Sequence, residues 1–360
     1  MFLILLFGLL FSQLVQADNL LGLPPLPVPA DNPQTPEKVA LGKAFFHDIR
    51  FSGDGTISCA SCHQPDSAFT DGFSIAQGIG GQRGLRNTPT VLNAAYYQNL
   101  FTDGRATSLE EQALGPLLNP IEHGIKDDKQ ILAIVHKDAE YRRRLIQVFA
   151  IDQNQITVQH IAKAIASFER SLIAGNSAFD RYYFGRDRSQ LSESAARGLL
   201  IFRRKGNCAN CHEISMSNAL FSDNRFYNIG IGSKTLNSVI DDFVTAIRQG
   251  KTPAHYPLTE QQRAELGRFN VTHIISDIGK FRTPSLRNVA LTAPYMHDGS
   301  LKTLEDVVEY YDKGGDKNRF QDPAIFPLHL TEQEKADLVA FMRALNSETN
   351  AQSLRQSRER

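Results

Sequence analysis

Cys59-Ala-Ser-Cys62-His63 and Cys208-Ala-Asn-Cys211-His212 take up all four cysteines of the 360-residue chain, and their reading decides the fold. In each, two thiols three positions apart are followed directly by a histidine, which is the c-type haem attachment signature. The spacing has a local cause: two such thiols add to the two vinyl groups of one haem, and the next imidazole then reaches the iron. A structural zinc site would set two Cys-x-x-Cys units about 15–20 residues apart. Here they are separated by the whole stretch from His63 to Asn207. A thioredoxin-like redox pair would need a βαβ setting.

Around these segments the signals are helical. Phe45 to His63 and Phe202 to His212 repeat each other loosely, each leading a helix and a short loop into the pentapeptide, so a duplicated helical module is expected. Ser108-Leu-Glu-Glu111, Thr259-Glu-Gln-Gln262 and Thr331-Glu-Gln-Glu334 match the capping box at a helix start. Thr157 to Ala174 sets Ile161, Ala164, Ile165, Phe168, Leu172 and Ile173 on one face, with Gly175 as a stop. Alternating apolar patterns are nearly absent. The expectation is a mainly α chain of two cytochrome c-like helical domains, each carrying one covalent c-type haem, over residues 18–187 and 188–346. Long loops are expected at Gly72–Arg86 and Ala219–Leu236, a proline-rich strap at Leu23–Pro36, and a polar tail at 347–360.

Composition removes several classes. Hydrophobic residues make up 41% and charged residues 22%, as in an ordinary globular protein. Lys plus Arg and Asp plus Glu both number 39, so no net field favours nucleic acid. The apolar run Phe2–Phe11 is shorter than the roughly 20 residues that span a bilayer. With Val15 and Ala17 before Asp18, residues 1–17 read as an export signal, although no Lys or Arg precedes Lys38. Cleaved or kept as an anchor, it puts the folded part outside the cytoplasm, and the mature chain has no membrane span.

From Pro36 to Leu345 the chain resembles the bacterial di-haem cytochrome c peroxidases and their MauG-type relatives. The resemblance is carried by Gly53–His63, Arg86-Asn87-Thr-Pro-Thr-Val-Leu-Asn93, Asp103-Gly-Arg105, Asn119-Pro-Ile-Glu122, Phe281-Arg-Thr-Pro-Ser-Leu-Arg-Asn288 and Ala293-Pro-Tyr-Met-His-Asp-Gly299. It implies two haem c groups on Cys59, Cys62, Cys208 and Cys211, with His63 and His212 as iron ligands. It also implies Glu122 as the distal acid–base group, with Gln112 and Pro116 in the same pocket. A carboxylate beside an open iron can take a proton from peroxide and return it to the leaving oxygen. Members that need reductive activation carry a blocking histidine in the loop corresponding to Gly72–Arg86. No histidine lies between His63 and His123, so the first haem is expected to be open.

At the second haem, Tyr311 falls where peroxidases place a methionine, as in the MauG branch; Met296 and Met216 are rival ligands. A Ca²⁺ ion is implied on the Asn87 side chain and the Thr292 and Pro294 carbonyls. The chain has no tryptophan, and Thr102 and Gly206 stand where the family uses two. The expected function is a periplasmic enzyme that reduces hydrogen peroxide to water. Its electrons would come from a small donor protein, either a c-type cytochrome or a cupredoxin. The alternatives are MauG-type oxidation of residues in a partner protein, or a non-catalytic di-haem electron carrier. The resemblance admits a homodimer.

Overall fold

Capping residues fix where the helices begin. The computed structural model describes residues 20–347, so the expected export signal at 1–17 and the tail from 348 onward lie outside the described residues. In chain order come α1 (Pro36–His47), α2 (Cys59–Cys62), α3 (Leu109–Leu118), α4 (Asp128–Lys137), α5 (Ala139–Phe149) and α6 (Val158–Ser171). Next are α7 (Ala178–Tyr183), α8 (Glu193–Arg203), α9 (Ser233–Leu236), α10 (Ile240–Arg248), α11 (Glu260–Glu265) and α12 (Phe269–Thr272). α13 (Leu304–Asp312) and α14 (Glu332–Arg343) close the series. Two short strands, β1 (Phe226–Tyr227) and β2 (Phe281–Arg282), pair antiparallel. Thus β1 and α9 structure part of the loop expected at 219–236.

The boxes at Thr259–Gln262 and Thr331–Glu334 close in both directions, starting α11 and α14. That at Ser108 closes only halfway. Ser108 Oγ accepts from Glu111 N at 3.1 Å, but Glu111 Oε2 accepts from Thr107 N at 2.7 Å. α6 ends at Ser171 rather than Ala174 because Asn93 competes for the chain there. Its amide nitrogen donates to Ala174 O and its oxygen accepts from Ala174 N, both at 2.9 Å.

Two helix crossings organise the structure in parallel. α1 crosses α6 at Gly42, where a Cβ would come within 1.8 Å of the Ala164 carbonyl. α8 crosses α14 at Gly198, where it would come within 2.0 Å of the Asp337 carbonyl. One turn beyond each glycine a buried phenylalanine, Phe46 or Phe202, packs near the histidine of the following segment, His63 at 6.2 Å and His212 at 6.5 Å between ring centres. One apolar cluster surrounds the first crossing, with Leu41, Phe45, Ile161 and Ile165. A second surrounds the other, with Leu199, Phe221, Leu338 and Phe341.

Phe179 is fully buried in the second cluster, and Tyr182, Tyr183 and Phe184 pack against it. Those residues lie before the 187/188 boundary expected from sequence. A smaller third cluster, with Phe243, Leu266 and Phe269, joins α10 to α12. The strap and the residue just before it reach both halves of the chain: Gly22 O accepts from Arg287 Nη2 at 2.6 Å, and Asn32 Nδ2 donates to Glu110 at 2.6 Å. Among the described residues no helix is long and apolar enough to cross a membrane.

Candidate active site and haem segments

Both histidines of the repeated segment are oriented in the same way. His63 Nδ1 lies 3.1 Å from Phe69 O, and His212 Nδ1 lies 2.9 Å from Phe221 O. A carbonyl can only accept, so Nδ1 carries the proton and Nε2 keeps its lone pair for a metal. Burial lowers the pKa of both imidazoles, which keeps them neutral and ready to ligate. The four thiols form no disulfide, and burial pushes Cys62 and Cys211 up to about 11. Two thiols and one properly turned imidazole in each segment fit a covalently held haem. Among the described residues there is no group of three or more His, Cys, Asp or Glu that would hold a bare metal ion instead.

Glu122 follows α3, in the turn Asn119–Gly124. Gln112 and Pro116 are four residues apart on α3, so they share a face leading toward that turn, and all three are half-buried. Burial raises the Glu122 pKa against the opposing pull of Arg105 and of Asn119, whose Nδ2 donates to Glu122 Oε1 at 2.7 Å. The glycine-rich loop links this turn to the first haem segment: Ile79 N donates to Glu122 O at 2.9 Å, and Cys62 Sγ lies 3.5 Å from Gln77 O. His123 points away: it is buried, with Nδ1 2.6 Å from Phe51 O.

The turn is braced by the glycine-rich loop, a role the sequence reading missed. Ile79 N donates to Ile121 O and Glu122 O at 3.1 and 2.9 Å, and Gly53 N donates to His123 O at 2.7 Å. Gly78 must lack a side chain, since a Cβ there would sit 1.8 Å from Ile121 O.

The second segment opens on a cavity of about 300 Å³ lined by Cys208, Cys211, His212, Tyr311 and Met296. Met216 is 97% exposed, which removes it as a ligand in this conformation. Removal from water raises the Tyr311 phenol pKa, with the nearby Cys208 and Cys211 thiols adding to the effect. Asn87, Thr292 and Pro294 line the same cavity. Asn87 Nδ2 donates to Phe73 O at 2.7 Å, a bond that does not use its side-chain oxygen. Among the described residues no amide donates to the Thr292 or Pro294 carbonyl.

A further network escaped the sequence reading. Glu265 is 1% exposed and lies between Arg86 Nη1 at 2.9 Å and His297 Nε2 at 2.8 Å, tying the two halves of the chain together. Burial opposes its ionisation, but His297 and Arg86 prevail and hold the carboxyl below its usual range. Arg86 and His297 both stand in quoted motifs, whereas Glu265 has no local signal.

A helical scaffold with two such segments defines a class of c-type haem proteins, and comparison with known proteins narrows it. A family model described as di-haem cytochrome c peroxidase matches residues 36–188. Cytochrome-c peroxidase IdrP1 of Pseudomonas sp. (strain SCT) is 38% identical over 332 residues, 90% of this chain and 84% of that protein. Methylamine utilization protein MauG of Methylorubrum extorquens is 36% identical over 331 residues, 92% and 84% of the two chains. A crystal structure of a MauG-like protein associated with microbial copper homeostasis matches with a TM-score of 0.75 at 36% identity, covering 92% of this chain and 95% of that one. The chain belongs to the di-haem cytochrome c peroxidase family.

Proposed function

We propose that this protein is a periplasmic peroxidase that reduces hydrogen peroxide to two waters, consuming two electrons and two protons. The electrons come from a small redox protein, a c-type cytochrome or a cupredoxin. The observation that carries this reading is Glu122, a half-buried carboxylate of raised pKa in a turn braced by the loop that also meets Cys62, with no histidine in that loop. A haem bound at Cys59, Cys62 and His63 would supply the iron at which the O–O bond breaks. Glu122 takes the proton of one peroxide oxygen and returns it to the leaving oxygen, and Gln112 and Pro116 shape the space beside it. Steady-state peroxide consumption with a reduced c-type cytochrome tests the reading. Donor oxidation proportional to peroxide is expected, and a protein that never oxidises the donor overturns it.

Cys208, Cys211, His212 and Tyr311 hold the second haem in this reading, and Asn87, Thr292 and Pro294 hold a Ca²⁺ ion. In this reading the haem domains span residues 18–187 and 188–346, and the packing of Phe179, Tyr182, Tyr183 and Phe184 in the second apolar cluster favours a division somewhat earlier in the chain. Because all four thiols become thioethers, the denatured protein should carry two haems by mass and no free thiol. Fewer than two haems after expression with a competent maturation system would sink the assignment. Tyr311→Phe should alter the low-spin ferric signal and leave the high-spin signal in place. An unchanged low-spin spectrum would transfer the ligand role to Met296.

Tyr311 at the second cavity also favours a second reading, MauG-type oxidation of residues in a partner protein. The absence of tryptophan at Thr102 and Gly206 counts against it. Accumulation of oxidised partner protein, rather than oxidised donor, would select it. A pure electron carrier would show no high-spin ferric haem.

A further inference from the structure

Glu169 is a buried acid for which the peroxide chemistry has no use. It lies on α6 and is 5% exposed, with Ile165, Ala166 and Phe168 buried around it. Its Oε2 reaches neither solvent nor any hydrogen-bond partner, and Nη1 of the adjacent Arg170 is in the same condition. Elsewhere buried carboxylates are paired: Asp180 takes hydrogen bonds from Arg287 at 2.8 and 2.9 Å, and Glu265 meets Arg86 at 2.9 Å and His297 at 2.8 Å. An ionised carboxylate without such partners is costly in an apolar interior, so the neutral acid is favoured. Burial pushes Glu169 up to about 8; Arg170 pulls against this, and Glu110 adds to the rise.

The position of the acid gives it a use. Phe168, the residue before Glu169, packs on Phe46 at 5.1 Å between ring centres, Phe46 lies 6.2 Å from His63, and Cys59 packs against the same apolar cluster as Ile165 and Phe168, so α6 backs the first haem segment. The charges that act on it are those of Arg170 and Glu110, themselves paired at 2.7 Å, and of Cys59, which thioether formation would remove from titration. Other polar groups on helices packed against α6 turn elsewhere: Lys38 to Asn32 and Pro33, His47 to the Lys43 carbonyl, Tyr96 to the Pro24 carbonyl. Glu111, Asp128 and His136 are exposed.

We propose that Glu169 is a redox-linked proton site of the first haem, taking up one proton when that haem takes up one electron and releasing it on oxidation. The inference rests on the proposed attachment of that haem to Cys59 and Cys62. The step balances: ferric haem, one electron, the Glu169 carboxylate and one proton give ferrous haem and the Glu169 acid. Ferric haem carries one more positive charge than ferrous, and a nearby positive charge favours the carboxylate. Reduction removes that charge, and the acid re-forms. Peroxide reduction consumes as many protons as electrons, so Glu169 keeps the charge of a buried site constant as electrons arrive.

Potentiometry on the holoprotein, once two covalent haems are verified by mass, tests this between about pH 6 and 9. The midpoint potential of the first haem should fall as pH rises. The slope should approach a tenfold change in the reduced-to-oxidised ratio per pH unit, about 59 mV for one electron. Glu169→Asp should keep the slope, and Glu169→Gln should flatten it both in the wild type and in a Glu122→Gln background, where the other acid near this haem no longer titrates. Redox difference infrared spectra of the wild type should show a protonated carboxyl band lost on oxidation. If Glu169→Gln does not fold, that band decides, and its absence overturns the proposal. A slope unchanged in Glu169→Gln, or lost only in Glu122→Gln, overturns it too. A protein with no haem on Cys59 and Cys62 overturns the functional reading together with this one.

Discussion

Glu122→Gln slows the reaction of the oxidised protein with hydrogen peroxide by about 10²–10⁴-fold, the usual contribution of a positioned acid–base group. The expectation follows from what the substitution keeps and what it removes. Glutamine has the same length, and its oxygen can still accept from Asn119 Nδ2, so the turn braced by Ile79 and Gly53 stays in place. What goes is the group that holds a proton between the two peroxide oxygens. The high-spin ferric spectrum should survive, because His63 and its hydrogen bond to Phe69 O are untouched.

The pH profile carries a second signature of the same group. Burial raises the Glu122 pKa above its ordinary value despite Arg105 and Asn119, and the reaction needs the ionised form to accept a proton. The wild-type rate should therefore be flat at higher pH and fall as pH drops through that raised pKa. Glu122→Gln should lack this limb. Arg105→Leu removes a cation that favours the carboxylate, so it should move the limb to higher pH. Stopped-flow mixing of the ferric proteins with peroxide measures all three, and equal wild-type and Glu122→Gln rates would take Glu122 out of the mechanism.

Features written in neighbouring residues were legible in the sequence. The haem segments, the boxes at Thr259 and Thr331, and the start of α6 are of this kind. The repeat was legible too, with its register off by one: the loose match pairs Phe45 with Phe202, whereas the packing pairs Phe46 with Phe202, each four residues after a glycine where two helices cross. Contacts between distant segments were not legible. Glu265 meets Arg86 across 179 positions, and nothing around Glu265 distinguishes it from a surface helix residue. The same holds for Gly78, whose need for glycine arises only when Ile121 arrives. α6 stops early for a like reason, since Asn93 reaches Ala174 from 81 positions away.

Arg287 shows how much stability such a distant contact holds. Asp180 and Arg287 are 0% and 2% exposed and meet through two parallel hydrogen bonds, Nη1 to Oδ2 at 2.8 Å and Nη2 to Oδ1 at 2.9 Å. Arg287 also donates to Ala219 O at 2.8 Å and to Gly22 O at 2.6 Å, and Asp180 Oδ2 accepts from Ser177 N and Oγ at the start of α7. One guanidinium thus joins the strap, α7 and the second apolar cluster. Removing one partner strands the other charge in the interior, which costs about 3–5 kcal/mol. Arg287→Met and Asp180→Leu should each destabilise the holoprotein by that amount in denaturant unfolding. A buried ion pair replaced whole by apolar residues is often nearly neutral, so Asp180→Leu combined with Arg287→Met should be less damaging than the two single effects added. The recovery should be partial, because the Gly22 and Ala219 carbonyls both lose the Arg287 donor. Single variants within about 1 kcal/mol of wild type, the range of a surface ion pair, would show that the pair does not hold the strap to the core.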